Sequence, residues 1–321
     1  MASQEVLHID SHQVDAALDF AGAVEVLRNT LAEGFDPETD GVRTRSELRG
    51  GEFLFMPSQV GDYAGVKVLT ATPDNPERGE PLIQGTCLLL DGTTHRTLAT
   101  IDGVALTNLR TPTVSIAGIL PFARKRNPEG LSLVVFGNGV QAVPHIRAAH
   151  QNLPITRTSV IVRTPGRGDH VVEEARTHGI EVDQIVAGSS QATGVIQEAG
   201  LVVTATSASE PLFDASLIND SACVVAMGSH SPEARELPGE LLGRATVMVE
   251  SMATAKAECG DVIQAVDEGH LTWGDVRTWA DSLDADAVTG EAPVVFKSAG
   301  MSWEDIVVAA AIYEAVKGER G

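Results

Sequence analysis

Phe20, Val24, Leu27 and Leu31 recur at spacings of four, three and four, which places them on one face of a helix that Gly34 is suited to close. A β-rich stretch follows. Residues 53–56, 65–70, 85–90 and 97–101 are rich in β-branched and apolar side chains, and Asp91-Gly92 is a hairpin signal between the last two. Residues 72–81 hold three prolines and a glycine and read as a loop. From about residue 114 the texture becomes strand–helix alternation. Leu131-Ser-Leu-Val-Val-Phe136 is a buried-strand run, residues 142–152 read as the helix after it, and 159–163, 181–185, 201–206 and 223–227 are further short apolar strands. Such alternation predicts a parallel sheet covered by helices on both faces. Pro293-Val-Val-Phe296 reads as a strand and residues 302–317 as a helix, and both look more like the opening segment than the middle. The predicted fold is α/β, with a Rossmann dinucleotide-binding domain (114–290) inserted into an α+β substrate-binding and dimerisation domain (1–113 plus 291–321).

The 321 residues are enough for two domains, and 43% hydrophobic with 21% charged residues is an ordinary globular balance. Aromatics make up only 4%, so the cores must be built from Val, Leu, Ile and Ala. A formal charge of −21 repels phosphate backbones and anionic lipid, which argues against nucleic-acid and membrane partners. Cys87, Cys223 and Cys259 form no Cys-x-x-Cys pair, so neither a metal site nor a disulfide framework is expected. The opening residues carry an acid and no long apolar stretch, and a cytoplasmic location is expected.

Gly137-Asn138-Gly139-Val140-Gln141-Ala142 matches Gly-x-Gly-x-x-Ala in the context that the motif needs, after an apolar strand and before a helix. The first glycine makes the tight turn and the second lets backbone approach a pyrophosphate. Ala142 permits close helix–sheet packing, and the helix N-terminus turns N–H groups toward the phosphates. An acid ending the second strand would bind a ribose 2′-hydroxyl. Here the strand ends in Arg163-Thr164-Pro165-Gly166-Arg167 with no acid before Asp169, so NADP(H) is expected to be preferred, with NAD(H) accommodated.

Other side chains are ambiguous from the sequence alone. Lys67 interrupts the apolar run Gly65-Val-Lys-Val-Leu69, either facing solvent or turned into a cleft with a lowered pKa. Arg43 and Arg110 are surface residues by default, although a guanidinium is also suited to hold a carboxylate. Thr111-Pro112-Thr113 reads as a helix start, an end that also binds anions. His145 and His150 are five apart, the wrong spacing for a shared metal face, and read as structural or surface residues.

Several strings occur in order: Gly41-Val-Arg43-Thr44, Met56-Pro57, Gly65-Val-Lys67, Leu106-Thr-Asn-Leu-Arg110-Thr111, the glycine turn, Gly228-Ser-His230-Ser-Pro232 with Arg235-Glu-Leu237, and Phe296-Lys-Ser-Ala-Gly300 with Glu304-Asp305. Together they resemble the ornithine cyclodeaminase/mu-crystallin family over nearly the whole chain. The resemblance implies a homodimer joined through the first domain and an active site in the interdomain cleft. It further implies that Arg43 and Arg110 hold a substrate carboxylate, with Lys67 beside the reacting nitrogen and His230 at a substrate position. Thr111, Gly137, Asn138, Gly139, Val140, Gln141, Arg163, Thr164 and Thr206 would lie against the cofactor.

Departures from the cyclodeaminase pattern narrow the reaction. Those enzymes typically carry a glutamate two residues before Met-Pro, where this chain has Leu54, and an aspartate where it has His230. Phe296-Lys297-Ser298 resembles the reductase and mu-crystallin branch. The expected function is an NAD(P)H-dependent reductase of a small cyclic or linear 2-imino acid. The rivals are an ornithine cyclodeaminase and an NADPH-dependent small-ligand binder.

Overall fold

The computed structural model describes residues 6–284, 286 and 291–319. The first five residues, part of the opening stretch on which the expected location rests, lie outside these, as do 287–290 at the expected domain boundary. The chain divides into two compact units, residues 1–111 with 300–321, and residues 112–299.

The first unit holds a six-stranded sheet of β1 (Leu7–Ile9), β2 (Thr44–Leu48), β3 (Gly51–Val60), β4 (Tyr63–Ala71), β5 (Ile83–Asp91) and β6 (Thr97–Asp102), in the order β1-β6-β5-β4-β3-β2. All neighbours are antiparallel except β1 and β6. The helix Phe20–Ala32 buries Phe20, Val24, Leu27 and Leu31, the face that the periodicity predicts, and each such side chain contributes about 1.5–3 kcal/mol by leaving water. Asp19 caps its start, and Gly34, at φ +96°, turns the chain out of it. The helix Ser302–Glu319 packs on the sheet where Gly65 leaves room: a Cβ there would stand 2.4 Å from the Leu88 carbonyl oxygen and 2.7 Å from Ile306 Cδ1.

The second unit is a wholly parallel eight-stranded sheet of Rossmann type. Its strands are β7 (Leu131–Phe136), β8 (Ile155–Val162), β9 (Asp183–Val186), β10 (Leu201–Thr204), β11 (Cys223–Ala226), β12 (Thr246–Val249), β13 (Arg277–Thr278) and β14 (Val294–Lys297). The order is β13-β12-β14-β11-β10-β7-β8-β9. From β7 the chain winds outward through β8 and β9, then returns to the other side of β7 as β10. The crevice beyond the carboxyl ends of β7 and β10 is therefore the topological switch point, where such sheets bind ligands.

Two expectations are corrected. Residues 291–299 do not belong with the opening segment, because β14 pairs with β11 on one side and β12 on the other. A four-residue strand buried on both faces suits any parallel sheet, and only this pairing decides its membership. Nor does a helix begin at Thr111. The helix Gly103–Arg126 starts eight residues earlier, where Asp102 Oδ1 accepts from the N–H groups of Val104 at 2.9 Å and Ala105 at 2.8 Å. Pro112 is interior to that helix, so it removes one helical N–H instead of opening an anion-binding end.

Candidate functional site

Each unit carries one cluster of the predicted residues. In the first, strand alternation decides the orientation of Lys67. It shares the covered face of β4 with Gly65 and Leu69, opposite Met56 of β3 and Cys87 of β5, and is fully buried. Its Nζ donates to Asp305 Oδ1 at 2.6 Å and Thr107 Oγ1 at 3.3 Å. Arg110, one helical turn beyond Thr107, donates through Nε to the same Asp305 oxygen at 2.9 Å and through Nη1 to Glu304 Oε2 at 3.4 Å. Arg43 Nη2 donates to the Gly300 carbonyl. Gly300 stands at φ +79°, and a Cβ there would meet Arg110 Nη1 at 2.4 Å, so this position requires glycine both for backbone shape and for the guanidinium beside it. Lys67, Arg43 and Arg110 are thus brought together around the Gly300–Asp305 turn.

Burial, and next the neighbouring Arg110 guanidinium, lower the Lys67 pKa to about 8, while Asp305 acts in the opposite sense. Asp40 accepts from Trp303 N at 2.9 Å, and Glu304 Oε2 accepts from Met301 N at 3.0 Å, so two acids hold the start of the helix Ser302–Glu319. The sequence reading gave no role to Thr107, Glu304 or Asp305. The available signal was a pair of acids opening a helix that is otherwise apolar through Ile312.

In the second unit, the glycine turn lies at the switch point. Gly137 has φ +109°, and a Cβ on it would stand 2.4 Å from the Ala205 carbonyl oxygen and 3.1 Å from Thr206 Cγ2, so Thr206 lies beside the turn. A Cβ on Gly139 would meet nothing within 4 Å, and Val140 is 80% exposed, so backbone is open to a ligand there. No side chain hydrogen-bonds as a cap at Gln141 on the helix Ala142–Asn152 that follows. Asn138, Arg163, Thr164 and Arg167 line an open cleft of about 460 Å³. Asp169, the first acid after β8, accepts from Gln184 Nε2 at 3.0 Å. These features fit a dinucleotide: a turn open at Gly139 beside a helix start with no side-chain cap, and two guanidinium groups beyond β8.

Glu236, fully buried, supports the crevice from below. It accepts hydrogen bonds from Thr204 Oγ1, Thr206 N, Thr206 Oγ1 and Gly228 N at 2.7–2.8 Å, tying the ends of β10 and β11 together. Buried Lys297 donates to the Ser229 carbonyl at 2.7 Å and pairs with Asp261 at 3.3 Å, which fixes the loop leading to exposed His230. His230 belongs to the second unit and Arg43, Lys67 and Arg110 to the first. Thr111 is buried inside its helix, and its place among cofactor contacts rests on the resemblance alone. His145 is buried between Ser115 and Gln141, and among the described residues no group of three or more His, Cys, Asp or Glu is gathered as a metal ion would need.

Known proteins resemble this chain over most of its length. A Δ1-pyrroline-2-carboxylate reductase of Bacillus cereus (strain ZK / E33L) is 30% identical over 81% of this chain and 80% of its own length. The ketimine reductase mu-crystallin of Mus musculus is 28% identical over 80% of this chain and 77% of its own. The Thermococcus litoralis Δ1-pyrroline-2-carboxylate reductase, solved in complex with NADH and L-proline, shares the fold with a TM-score of 0.87 at 24% identity, covering 98% of each chain. The ornithine cyclodeaminase/mu-crystallin family model matches residues 5–320, and the chain belongs to that family.

Proposed function

We propose that this chain reduces the C=N bond of a small 2-imino acid, cyclic or linear, using NAD(P)H. The observation that carries the reading is Lys67: a buried ammonium that shares one carboxylate oxygen with a guanidinium, with a pKa near 8. Buried ion pairs are weak contributors to stability, because desolvation offsets much of their attraction. A cluster of this kind is better explained by chemistry. The reaction adds a hydride at carbon and a proton at nitrogen, and the cofactor supplies the hydride. Arg43 and Arg110 hold the substrate carboxylate, and Lys67 Nζ gives the proton to the imine nitrogen. The similarity to named pyrroline-2-carboxylate and ketimine reductases supports the same class of C=N chemistry.

NADP(H) is the preferred cofactor in this reading, with NAD(H) accommodated. Arg163 and Arg167 supply two positive charges for a 2′-phosphate, where an NAD-specific strand would end in an acid. The protein works as a cytoplasmic homodimer that covers β2, an edge strand with all five residues exposed.

The cyclodeaminase alternative is disfavoured at Leu54. Leu54 and Met56 share one face of β3, and Met56 lies opposite Lys67, so a carboxylate at position 54 would join the lysine's face. Leucine leaves that place without a base for a second amine. Purified protein incubated with NADPH and Δ1-pyrroline-2-carboxylate, Δ1-piperideine-2-carboxylate, or pyruvate plus ammonia tests the proposal. Net NADPH oxidation with at least one of them is expected, and tight cofactor binding without turnover would mark a binding protein instead.

A further inference from the structure

One oxygen serves both cations of the first cluster. Asp305 Oδ1 accepts from Lys67 Nζ at 2.6 Å and from Arg110 Nε at 2.9 Å, and the residue is fully buried. Its other oxygen, Oδ2, is buried without a hydrogen-bond donor among the described residues. Asp305 is not needed to cap the helix that carries it, since Asp40 and Glu304 accept from the backbone N–H groups of Trp303 and Met301. An apolar residue at 305 would pack there without the desolvation cost of a carboxylate.

We propose that Asp305 is a positioning residue that holds the Lys67 side chain in its charged, proton-donating form and aligns it with Arg110 for an anionic imino acid. This rests on the reading of Lys67 as the proton donor. The groups around the ammonium come from four elements: Met56 of β3, Cys87 of β5, Thr107 and Arg110 of the helix Gly103–Arg126, and Asp305 of the helix Ser302–Glu319. Met56 is apolar and Thr107 neutral. Burial pushes the Cys87 thiol well above its ordinary value, so it stays protonated. Burial and the Arg110 charge both favour a neutral amine, and Asp305 is the group that opposes them. With the carboxylate replaced by an amide, the ammonium would face a guanidinium with no counter-charge between them. A neutral amine has no proton to give to the imine nitrogen. In the intact site Lys67 Nζ loses one proton per turnover and regains it from solvent.

The test compares the unaltered protein with Asp305→Asn, labelled with ¹³C-lysine. The Lys67 Cε resonance, identified by its loss in Lys67→Met, is followed from about pH 6 to about pH 10. The titration midpoint should fall by about one unit or more in Asp305→Asn and stay near that of the unaltered protein in Asp305→Glu. An unmoved midpoint would overturn the proposal. Asp305→Ser replaces the asparagine variant if that fails to fold, and failure of both neutral variants would assign Asp305 to stability instead. With an imino acid substrate, the alkaline limb of kcat against pH should shift by the same amount as the midpoint. A uniform loss of kcat with the limb in place would mark a structural role. Absence of imine reduction by the unaltered protein would reject the reductase reading yet leave the resonance comparison decisive for Asp305.

Discussion

Asn138 Nδ2 donates a hydrogen bond to the Arg167 carbonyl oxygen at 2.7 Å, so a residue of the glycine turn holds the loop that follows β8. His170 Nε2 meets the Asn138 carbonyl from the same side at 2.9 Å. The turn and the loop therefore form one tied structure, with Arg163 and Arg167 on its cleft.

Cofactor preference follows from that tie. NADPH should bind more tightly than NADH, and Arg163→Asp should narrow or reverse the difference by exchanging an attractive charge for a repulsive one. Arg167→Asp should act in the same direction. Fluorescence titration at fixed salt reads both constants, and equal affinities in the unaltered protein would reject the idea.

Lys67→Met should lower turnover of the best imino acid by about 10²–10⁴-fold, the usual weight of a positioned acid–base group. Cofactor affinity should hardly change, because the glycine turn proposed for the phosphates belongs to the other unit. The pH dependence has a definite sign. Lys67 donates while protonated, so kcat should fall as pH rises through about 8. Near-normal turnover in the methionine variant would reduce the lysine to a packing residue.

Cyclodeamination should be negligible. Overnight incubation with L-ornithine and catalytic NAD⁺ or NADP⁺, followed by amino-acid analysis, should yield no proline and no ammonia. His230→Ala should disturb imine reduction less than Lys67→Met does. Stoichiometric proline would overturn the assignment and make His230 the substitute base, a role open to an imidazole near neutral pH.

His145 should make the fold acid-sensitive. Its Nδ1–H donates to the Gln141 carbonyl at 2.7 Å, which leaves Nε2 to accept from the Ser115 hydroxyl at 2.9 Å. Burial lowers its pKa from 6.5 to about 4. Between those values the unfolded chain binds the proton and the folded chain does not, so stability is lost as pH falls through that window. The loss is up to about 3 kcal/mol. Urea unfolding at neutral and acid pH should show a smaller difference in His145→Gln, and an identical difference would exclude His145 as the source.

Assembly is open to a direct measurement. Light scattering at micromolar concentration should give about twice the 33.7 kDa of one chain, and a monomer would remove the dimer from the proposal.

Local features were legible in the sequence because they depend on neighbours a few residues away. The face of the helix Phe20–Ala32, the strand Leu131–Phe136 and the turn at Gly137 are of this kind: each is written in a spacing of three or four, an apolar run or a glycine pair. The identity of Lys67 was legible too, and its motif singled it out. Its orientation was not, since a lysine within an apolar strand satisfies either face until the sheet and its covering helices are assembled. Tertiary structure alone decided its partner, because Lys67 and Asp305 stand 238 residues apart along the chain. The same holds for β14, whose four buried residues carry no mark of the sheet they join, and for Thr111, where a proline signals a helix start only if no earlier cap exists. Asp102 supplied that cap. Periodicity records which face of an element leaves water, whereas the partner it meets is set by long-range pairing and by the charges that burial forces together.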